Sequence, residues 1–162
     1  MNRQSILKGL RAARSSQLQW FAFTRSLGDN PASSDKYSKS ALEAQKRFDE
    51  WFYGAAKPLA KLGAFELIAV NHQALTELQD QILDTLSQPA PAEADRFLSW
   101  FRDPRRHNPQ LQALIGKAQR RSQRLLDGLE MLEKEVQALP EETLKKLASR
   151  NFVDNNVRFL IN

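Results

Sequence analysis

The sequence predicts an all-α fold, namely a four-helix bundle of up-down topology with additional short helices. Three observations lead to this prediction. Glycine is scarce, with 6 residues among 162, whereas Ala, Leu, Gln, Lys, Arg and Glu, which favour helices, are abundant. No segment shows the alternating β-branched residues that a strand would have. Long segments instead repeat apolar residues at steps of three and four, which is the spacing of one helix face.

The first helix is predicted from about Ser5 to Leu27, and it ends at Gly28, a residue type favoured just after helix C-termini. Residues recur along one face of this segment at steps of four and three. That seam comprises Ile6, Leu10, Ala13, Gln17, Trp20, Thr24 and Leu27. Gln17 is therefore a polar side chain on a line that is expected to face the core.

The second helix follows a predicted loop. Residues 28–39 contain glycine, an Asn-Pro pair and serines, and this composition is typical of loops. Ser40 and Glu43 have the spacing of a capping box, so the helix is expected to begin at Ser40. Its buried face would hold Ala41, Ala44, Phe48 and Trp51. Gly54 is expected to end the helix, and Lys46 lies off the buried face, where water would solvate it.

The third helix is predicted from about Pro58 or Leu62 to Leu86. Its seam comprises Phe65, Ile68, His72, Leu75, Gln79, Ile82 and Leu86. His72 thus lies on the buried line, where a histidine ordinarily has a hydrogen-bond partner. We expect Gln17 of the first helix to supply that partner.

The last long helix is preceded by a proline-rich break and a short helix expected at residues 94–101. It should begin with Asn108 as N-cap and Pro109 as its first residue, and Pro140 should end it. Its four-three alternation is typical of coiled coils and bundles. The seam comprises Leu111, Ile115, Ala118, Ser122, Leu125, Leu129, Leu132, Val136 and Leu139. A homodimer interface is expected at Leu111, Ile115, Leu125, Leu129, Leu132 and Val136, the alternative being that the seam closes the bundle of a single chain.

The domain organisation predicted is one bundle, at residues 1–139, followed by a short helix and tail at residues 140–162. The chain has no cysteine, which excludes disulfides and thiolate ligands. Its N-terminus lacks the apolar stretch of a secretory signal, and no apolar run approaches the roughly 20 residues of a membrane span. We therefore expect a cytoplasmic protein without a membrane span.

Catalytic constellations are not found in the sequence. The two histidines, His72 and His107, fall on different predicted elements, and no glycine-rich phosphate loop occurs. Acidic pairs such as Glu130 with Glu133 have the spacing of solvated helix residues. No nucleophile, base and orienting group belong together. We therefore expect a protein that is not an enzyme and that needs no cofactor.

The net charge of +5 is unevenly distributed. Residues 102–124 contain seven basic residues and a single acid, Asp103. The basic residues are Arg102, Arg105, Arg106, Lys117, Arg120, Arg121 and Arg124. Such a stripe raises encounter rates with nucleic acids or acidic proteins, although a solvated helix face is the ordinary interpretation. It lacks a helix-turn-helix glycine turn and interleaved aromatics, which argues against nucleic acid as the partner.

Three segments in a fixed order carry a resemblance to a known family. Gln17 and Trp20 form a polar-x-x-Trp pair, residues 47–54 read RFDEWFYG, and residues 65–72 read FELIAVNH. This order of aromatics, glycine and histidine resembles the chemoreceptor zinc-binding (CZB) domain over roughly residues 1–135. The resemblance implies a four-helix bundle, often dimeric, that binds one zinc through three His and one Cys. It also implies a regulator of bacterial chemoreceptors or diguanylate cyclases.

The chain departs from this family at the zinc ligands. Gln17 stands where the family has a His, Lys46 where it has the Cys, and Thr76 at the second position of its His-x-x-x-His motif. Only His72 is retained. A lysine ammonium has no lone pair and adds a positive charge, and Gln and Thr are poor zinc ligands. The expected protein is thus a member that keeps the scaffold but has lost the metal.

Three functions remain open from the sequence. The first is a non-catalytic regulatory bundle that contacts a signalling protein, such as a diguanylate cyclase or chemoreceptor, in bacterial chemotaxis or cyclic-di-GMP signalling. Because no cyclase signature follows the bundle, its signal is expected to leave through a surface. The second is a nucleic-acid-binding protein that uses the stripe at residues 102–124. The third is a sensor with a ligand pocket at Gln17, Trp20, Trp51 and His72.

Overall fold

The computed structural model describes residues 2–29, 34–88 and 108–149, and the regular structure in these ranges is helical, with no strand. The predicted all-α class is therefore confirmed. The long helices are α1 (Arg3–Asp29), α2 (Ser34–Glu50), α3 (Gly63–Ser87) and α4 (Pro109–Ala138). A π-helical turn (Trp51–Ala55) and a 3-10 turn (Lys57–Leu59) connect α2 to α3. In the same ranges, no helix has both the length and the apolar character needed to cross a membrane.

Helices α1 and α2 form an antiparallel hairpin. The hydroxyl groups of Thr24 and Tyr37 are 3.4 Å apart near one end of the pair. Further along, Nη2 of Arg47 donates to Oε1 of Gln19 at 2.6 Å. Residue numbers therefore fall in α1 as they rise in α2, which is the arrangement that a short connection between neighbouring helices produces.

Helix α4 runs antiparallel to both α3 and α1. The backbone N–H of Ala64 in α3 donates to Glu135 at 3.2 Å. On the α1 side, Arg11 pairs with Glu133 at 2.8 Å. Buried apolar side chains from all four long helices form one core cluster, which includes Leu10, Trp20, Phe48, Ile68 and Leu125.

The heptad seam of α4 lies inside the single chain. The six residues expected at a homodimer interface, Leu111, Ile115, Leu125, Leu129, Leu132 and Val136, are all buried and belong to the core cluster. The helices of one chain thus already cover the seam, which argues against a dimer contact through these side chains. The alternative interpretation, a seam that closes the chain's own bundle, describes these residues.

The start of α2 differs from the prediction. The helix begins at Ser34, so Ser40 is an interior residue and not an N-cap. Tyr37 explains the difference: it is buried one turn before Ala41, and it extends the apolar stripe toward the N-terminus. The prediction missed Tyr37 because the other residues at 34–39 have the composition of a loop.

Three other boundaries differ by smaller amounts. Gly28 lies within α1, which ends at Asp29. Gly54 lies inside the π-helical turn and does not end α2. Helix α3 begins at Gly63, because the backbone of Leu62 is extended. Proline and glycine signals thus located the interruptions to within a few residues, whereas the exact ends depend on backbone geometry.

The N-terminus of α4 is as predicted. Asn108 caps it, since its Oδ1 accepts from the backbone N–H of Gln110 at 3.0 Å and of Leu111 at 3.2 Å. Residues 141–149, where a short helix was expected, are helical. The short helix expected at residues 94–101, the basic residues Arg102, Arg105 and Arg106 with His107, and the tail at 151–162 lie outside the described residues.

Candidate functional site

A buried histidine is the centre of a polar network between α2 and α3. His72 is 2% exposed, and its Nε2 lies 3.0 Å from Oδ1 of Asp49. Its Nδ1 lies 3.4 Å from Nε2 of Gln45. The same Gln45 amide donates to Oδ1 of Asp49 at 3.0 Å. Gln45 and Asp49 are one helical turn apart, so α2 presents both to one histidine ring.

Aromatic rings surround this network. The ring centroids of Phe48 and Phe52 each lie 4.9 Å from that of His72, and the centroid of Tyr53 lies 5.9 Å from it. Phe52 and Tyr53 belong to the π-helical turn, whose extra residue per turn shifts the aromatic face relative to α2. Phe52 also stacks on Phe65 at 5.1 Å, which fixes its ring over the histidine.

Burial determines the charge of His72. Removal from water lowers its pKa below the ordinary value of 6.5, and the Asp49 carboxylate opposes this shift without overcoming it. The imidazole is therefore neutral at pH 7. Because a carboxylate only accepts, Nε2 carries the proton and donates to Asp49, which leaves Nδ1 to accept from the Gln45 amide. Both ring nitrogens are thus occupied by protein partners.

Gln17 does not contact His72, contrary to expectation. Its amide donates to Oγ of Ser122 at 3.1 Å, which joins α1 to α4. The expectation paired two buried polar residues on different seams, but the partners of His72 are a carboxylate and an amide of α2. Sequence reasoning missed Gln45 and Asp49. The signal that could have found them is their spacing around Phe48 on the inner face of α2.

The four positions that match zinc ligands in the resembled family do not meet at one point. Lys46 has a side chain 77% exposed and lies 4.0 Å from Glu50. Thr76 is exposed, and its hydroxyl donates to the backbone carbonyl of His72 at 3.1 Å. Across residues 2–29, 34–88 and 108–149, no group of three or more His, Cys, Asp or Glu side chains is arranged to hold a metal ion.

The expected pocket residues separate into two groups. Nε1 of Trp20 donates to Oε1 of Gln79 at 2.5 Å, and both side chains are buried. The ring centroid of Trp51 lies 5.6 Å from that of Phe48. Phe48 in turn contacts His72. Trp51 and His72 therefore share a neighbour, whereas Gln17 and Trp20 have partners on α4 and α3.

A groove that the sequence did not predict lies on the outer face of α3 and α4. It has a volume of about 460 Å³, and we call it the basic groove. Helix α3 supplies Ala74, Glu77, Leu78 and Gln81 to its lining, and α4 supplies Lys117, Arg120, Arg121 and Arg124. These cations belong to the basic stretch identified in the sequence, but the groove depends on how α3 packs beside α4.

The cations of the basic groove have few partners among the residues that the structure describes. Within the described ranges, Lys117, Arg120, Arg121 and Arg124 form no ion pair. Arg121 makes one hydrogen bond, from its Nη1 to Oδ1 of Asn71 at 3.5 Å. The carboxylate of the lining, Glu77, accepts from Gln73 at 3.3 Å. The lining therefore carries four cations against one carboxylate, which leaves it with a net positive charge.

Comparison with known proteins does not assign the chain to a family. No protein-family model matches the chain, and neither a curated protein nor a solved structure matches it. The resemblance to the CZB domain therefore stays a prediction, and the arguments that follow rest on the residues themselves.

Proposed function

We propose that the chain is a regulatory four-helix bundle of up-down topology, located in the cytoplasm, that catalyses no reaction and acts by binding a signalling protein. One observation carries the proposal: three large apolar side chains are exposed on α3 and α4. These are Leu67, Val70 and Met131, with exposed fractions of 36%, 55% and 49%. Apolar side chains grouped on one surface are typical of protein contact sites.

The positions of the three residues support a single patch. Cδ2 of Leu67 lies 3.5 Å from the point that a Cβ at Gly128 would occupy, so the Leu67 side chain reaches over α4. Met131 follows Gly128 by one helical turn, and Val70 follows Leu67 by one turn. We call Leu67, Val70 and Met131 the apolar patch. It continues, along the same two helices, the face that carries the basic groove.

The interior of the bundle supports a role without catalysis. His72 uses both ring nitrogens in hydrogen bonds to Gln45 and Asp49, so the ring has no free lone pair to act as a base or ligand. Gln17 and Trp20 are likewise joined to buried acceptors. These contacts hold the helices in register, and a rigid scaffold of this kind suits a contact surface.

The resemblance supplies the class of partner. CZB-like domains imply regulation of bacterial chemoreceptors or diguanylate cyclases, and this chain keeps the aromatic order of that family while replacing its zinc ligands. A bundle without the metal would act as an adaptor whose binding depends on its surface. The proposed partner is therefore a signalling protein, bound at the apolar patch.

Site-specific photo-crosslinking tests this proposal. A photoreactive residue is introduced at Val70 in the native cell, and a matched one at Leu42 of α2, whose exposed fraction of 48% is similar. We expect the Val70 probe to crosslink one signalling protein that the Leu42 probe does not reach. The purified partner should then bind the chain and lose binding on M131E substitution. Identical crosslinks at both positions, or a partner insensitive to M131E, would contradict the proposal.

A further inference from the structure

We propose that the basic groove binds a small organic polyphosphate, with the chemistry of a nucleoside diphosphate or triphosphate. This inference is independent of the protein-binding function proposed above. The four cations stand on one face of α4, at positions 117, 120, 121 and 124, which adjoin one another on consecutive helical turns. Like charges this close repel one another, and a bound anion removes that repulsion. Arginine forks in addition match phosphate oxygens two at a time.

Arg121 has one long contact that favours a single orientation of its side chain. Its guanidinium donates to Asn71, and Asn71 is buried and donates through its own amide to the carbonyl of Leu67 at 2.8 Å. A side chain already held in one orientation loses less entropy on binding, so its contact with a phosphate contributes more to affinity. Local sequence patterns do not predict this contact, because Asn71 lies on the neighbouring helix.

The α3 wall fits the remainder of a nucleotide. Ala74 and Leu78 provide an apolar surface of the kind on which a flat ring packs. Glu77 provides an acceptor for hydroxyl groups, as acidic residues do for a ribose. The volume of about 460 Å³ falls within the range of small-ligand sites, which is about 300–1,000 Å³. The groove thus offers cations for the phosphates, an apolar surface for the ring and a carboxylate for the sugar hydroxyls.

Acidic residues near the groove favour a small ligand over a nucleic-acid strand. Asp80 and Asp84 are exposed on α3 beside Glu77, and Asp127 follows Arg124 by one turn on α4. An extended phosphate backbone crossing this face would approach these carboxylates and be repelled. A compact ligand confined to the groove would contact Glu77 but not Asp80, Asp84 or Asp127, which are outside the lining.

Calorimetric titration of the full chain tests the inference, with ATP, inorganic pyrophosphate, adenosine and a thymidine dodecamer as probes. We expect ATP to bind one to one, pyrophosphate to bind more weakly, and adenosine to show no binding at millimolar concentration. The charge reversal R120E/R124E should weaken ATP binding at least about tenfold. The matched control K36E/K39E makes the same charge change at two exposed positions of α2 and should leave the affinity within about twofold.

Several outcomes would overturn the inference. One is the absence of ATP binding to the unsubstituted chain at millimolar concentration. Another is equal loss of affinity in the two charge-reversal variants, which would indicate a general field effect. Tighter binding of the dodecamer than of ATP would identify a nucleic-acid surface instead, and pyrophosphate binding as tight as ATP would remove the nucleoside from the assignment. The neutral variant R120Q/R124Q, with melting temperature checked, repeats the test without new acidic residues.

Discussion

The indole Nε1 of Trp20 donates to Oε1 of Gln79 at a distance of 2.5 Å, linking α1 to α3 through the interior. Both side chains are buried, so neither group has water as an alternative partner. If either residue is replaced, the polar group of the other stays buried without a partner, and the protein loses free energy comparable to the desolvation of that group. The two residues therefore depend on each other. A glutamine on the seam of α3 is therefore explained by the tryptophan that it faces.

Replacement of Gln79 by leucine should destabilise the protein although it adds apolar volume to the core. Q79L leaves the Trp20 N–H without an acceptor, and we expect the free energy of unfolding to fall by about 1–3 kcal/mol. Chemical denaturation followed by circular dichroism measures this change.

A double-mutant cycle separates the hydrogen bond from the packing. W20F removes the donor at the cost of some volume, and Q79L should then cost less in the W20F background than in the unsubstituted chain. We expect a coupling free energy of about 1 kcal/mol. Additive effects of W20F and Q79L would show that the two side chains do not depend on each other.

Sequence periodicity predicted the helices well because burial and helical spacing are coupled. The α4 seam from Leu111 to Leu139 and the Asn108 cap are local patterns, and the structure has both. The start of α2 was predicted six residues late, because one buried residue, Tyr37, was hidden among polar ones. Local composition cannot show which residue a neighbouring helix will cover.

The polar interior was predicted only in part. Periodicity correctly placed Gln17 and His72 in the core, but it could not assign their partners, because these depend on how the helices face one another. Asp49 was overlooked since it follows the buried Phe48 at the edge of the stripe. The basic groove was missed for the same reason: α4 supplies its charge, and α3 supplies the wall that makes it concave.

The buried seam of α4 leads to a prediction about stability and mass. Leu129 is fully buried, and Met131, two residues later, is exposed. We expect L129A to lower the free energy of unfolding by about 2–5 kcal/mol, since it leaves a cavity. M131A should change it by less than about 0.5 kcal/mol. Light scattering on L129A should give the same mass as on the unsubstituted chain, and a loss of dimer mass would restore the interface interpretation of the seam.

Two glycines of α4 should respond in opposite directions to alanine. A Cβ at Gly128 would lie 2.9 Å from Cγ1 of Ile68, a fully buried side chain with little room to move. The resulting overpacking costs about 1–3 kcal/mol, which exceeds the helix propensity gain of about 1 kcal/mol, so G128A should be destabilising.

The matched variant is G116A on the same helix. Its Cβ would lie 3.6 Å from Nη1 of Arg120, an ordinary contact with a flexible side chain. G116A should therefore raise the free energy of unfolding by about 0.5–1 kcal/mol. If both variants were stabilised, the close approach of α3 to α4 at Gly128 would be wrong.

Metal content tests the loss of the zinc site. We expect purified protein to contain far less than one zinc per chain by elemental mass spectrometry. Both ring nitrogens of His72 are already hydrogen-bonded, to Asp49 and to Gln45. One zinc per chain that disappears in H72Q but persists in H107Q would contradict the proposal.

Restoring the ligands tests the family resemblance separately. The variant Q17H/K46C/T76H would carry the three His and one Cys that the CZB domain implies, with His72 as the fourth ligand. Because positions 17, 46, 72 and 76 do not meet at one point in the structure, we expect this variant to bind no stoichiometric zinc. Tight binding of one zinc per chain would instead show that the four positions converge as they do in the CZB domain, and it would support the resemblance.

The buried histidine should make stability depend on pH. The pKa of His72 is lowered in the folded protein, so the unfolded chain binds more protons as the pH falls below about 6.5. The contribution of His72 to the free energy of unfolding should therefore be constant above about pH 6.5. Between pH 6.5 and the lowered pKa of His72, the free energy of unfolding should decrease by at most about 1.4 kcal/mol per pH unit.

Denaturation midpoints measured between pH 7.5 and pH 5.5 should show this decrease in the unsubstituted chain and in H107Q, and should show far less of it in H72Q. D49N gives a second check. The Asp49 carboxylate holds the pKa of His72 up against burial, so its neutralisation should lower that pKa further and extend the loss of stability to lower pH. A stability that rises as the pH falls through 6.5 would mean that Asp49 outweighs burial and that His72 is charged in the folded protein.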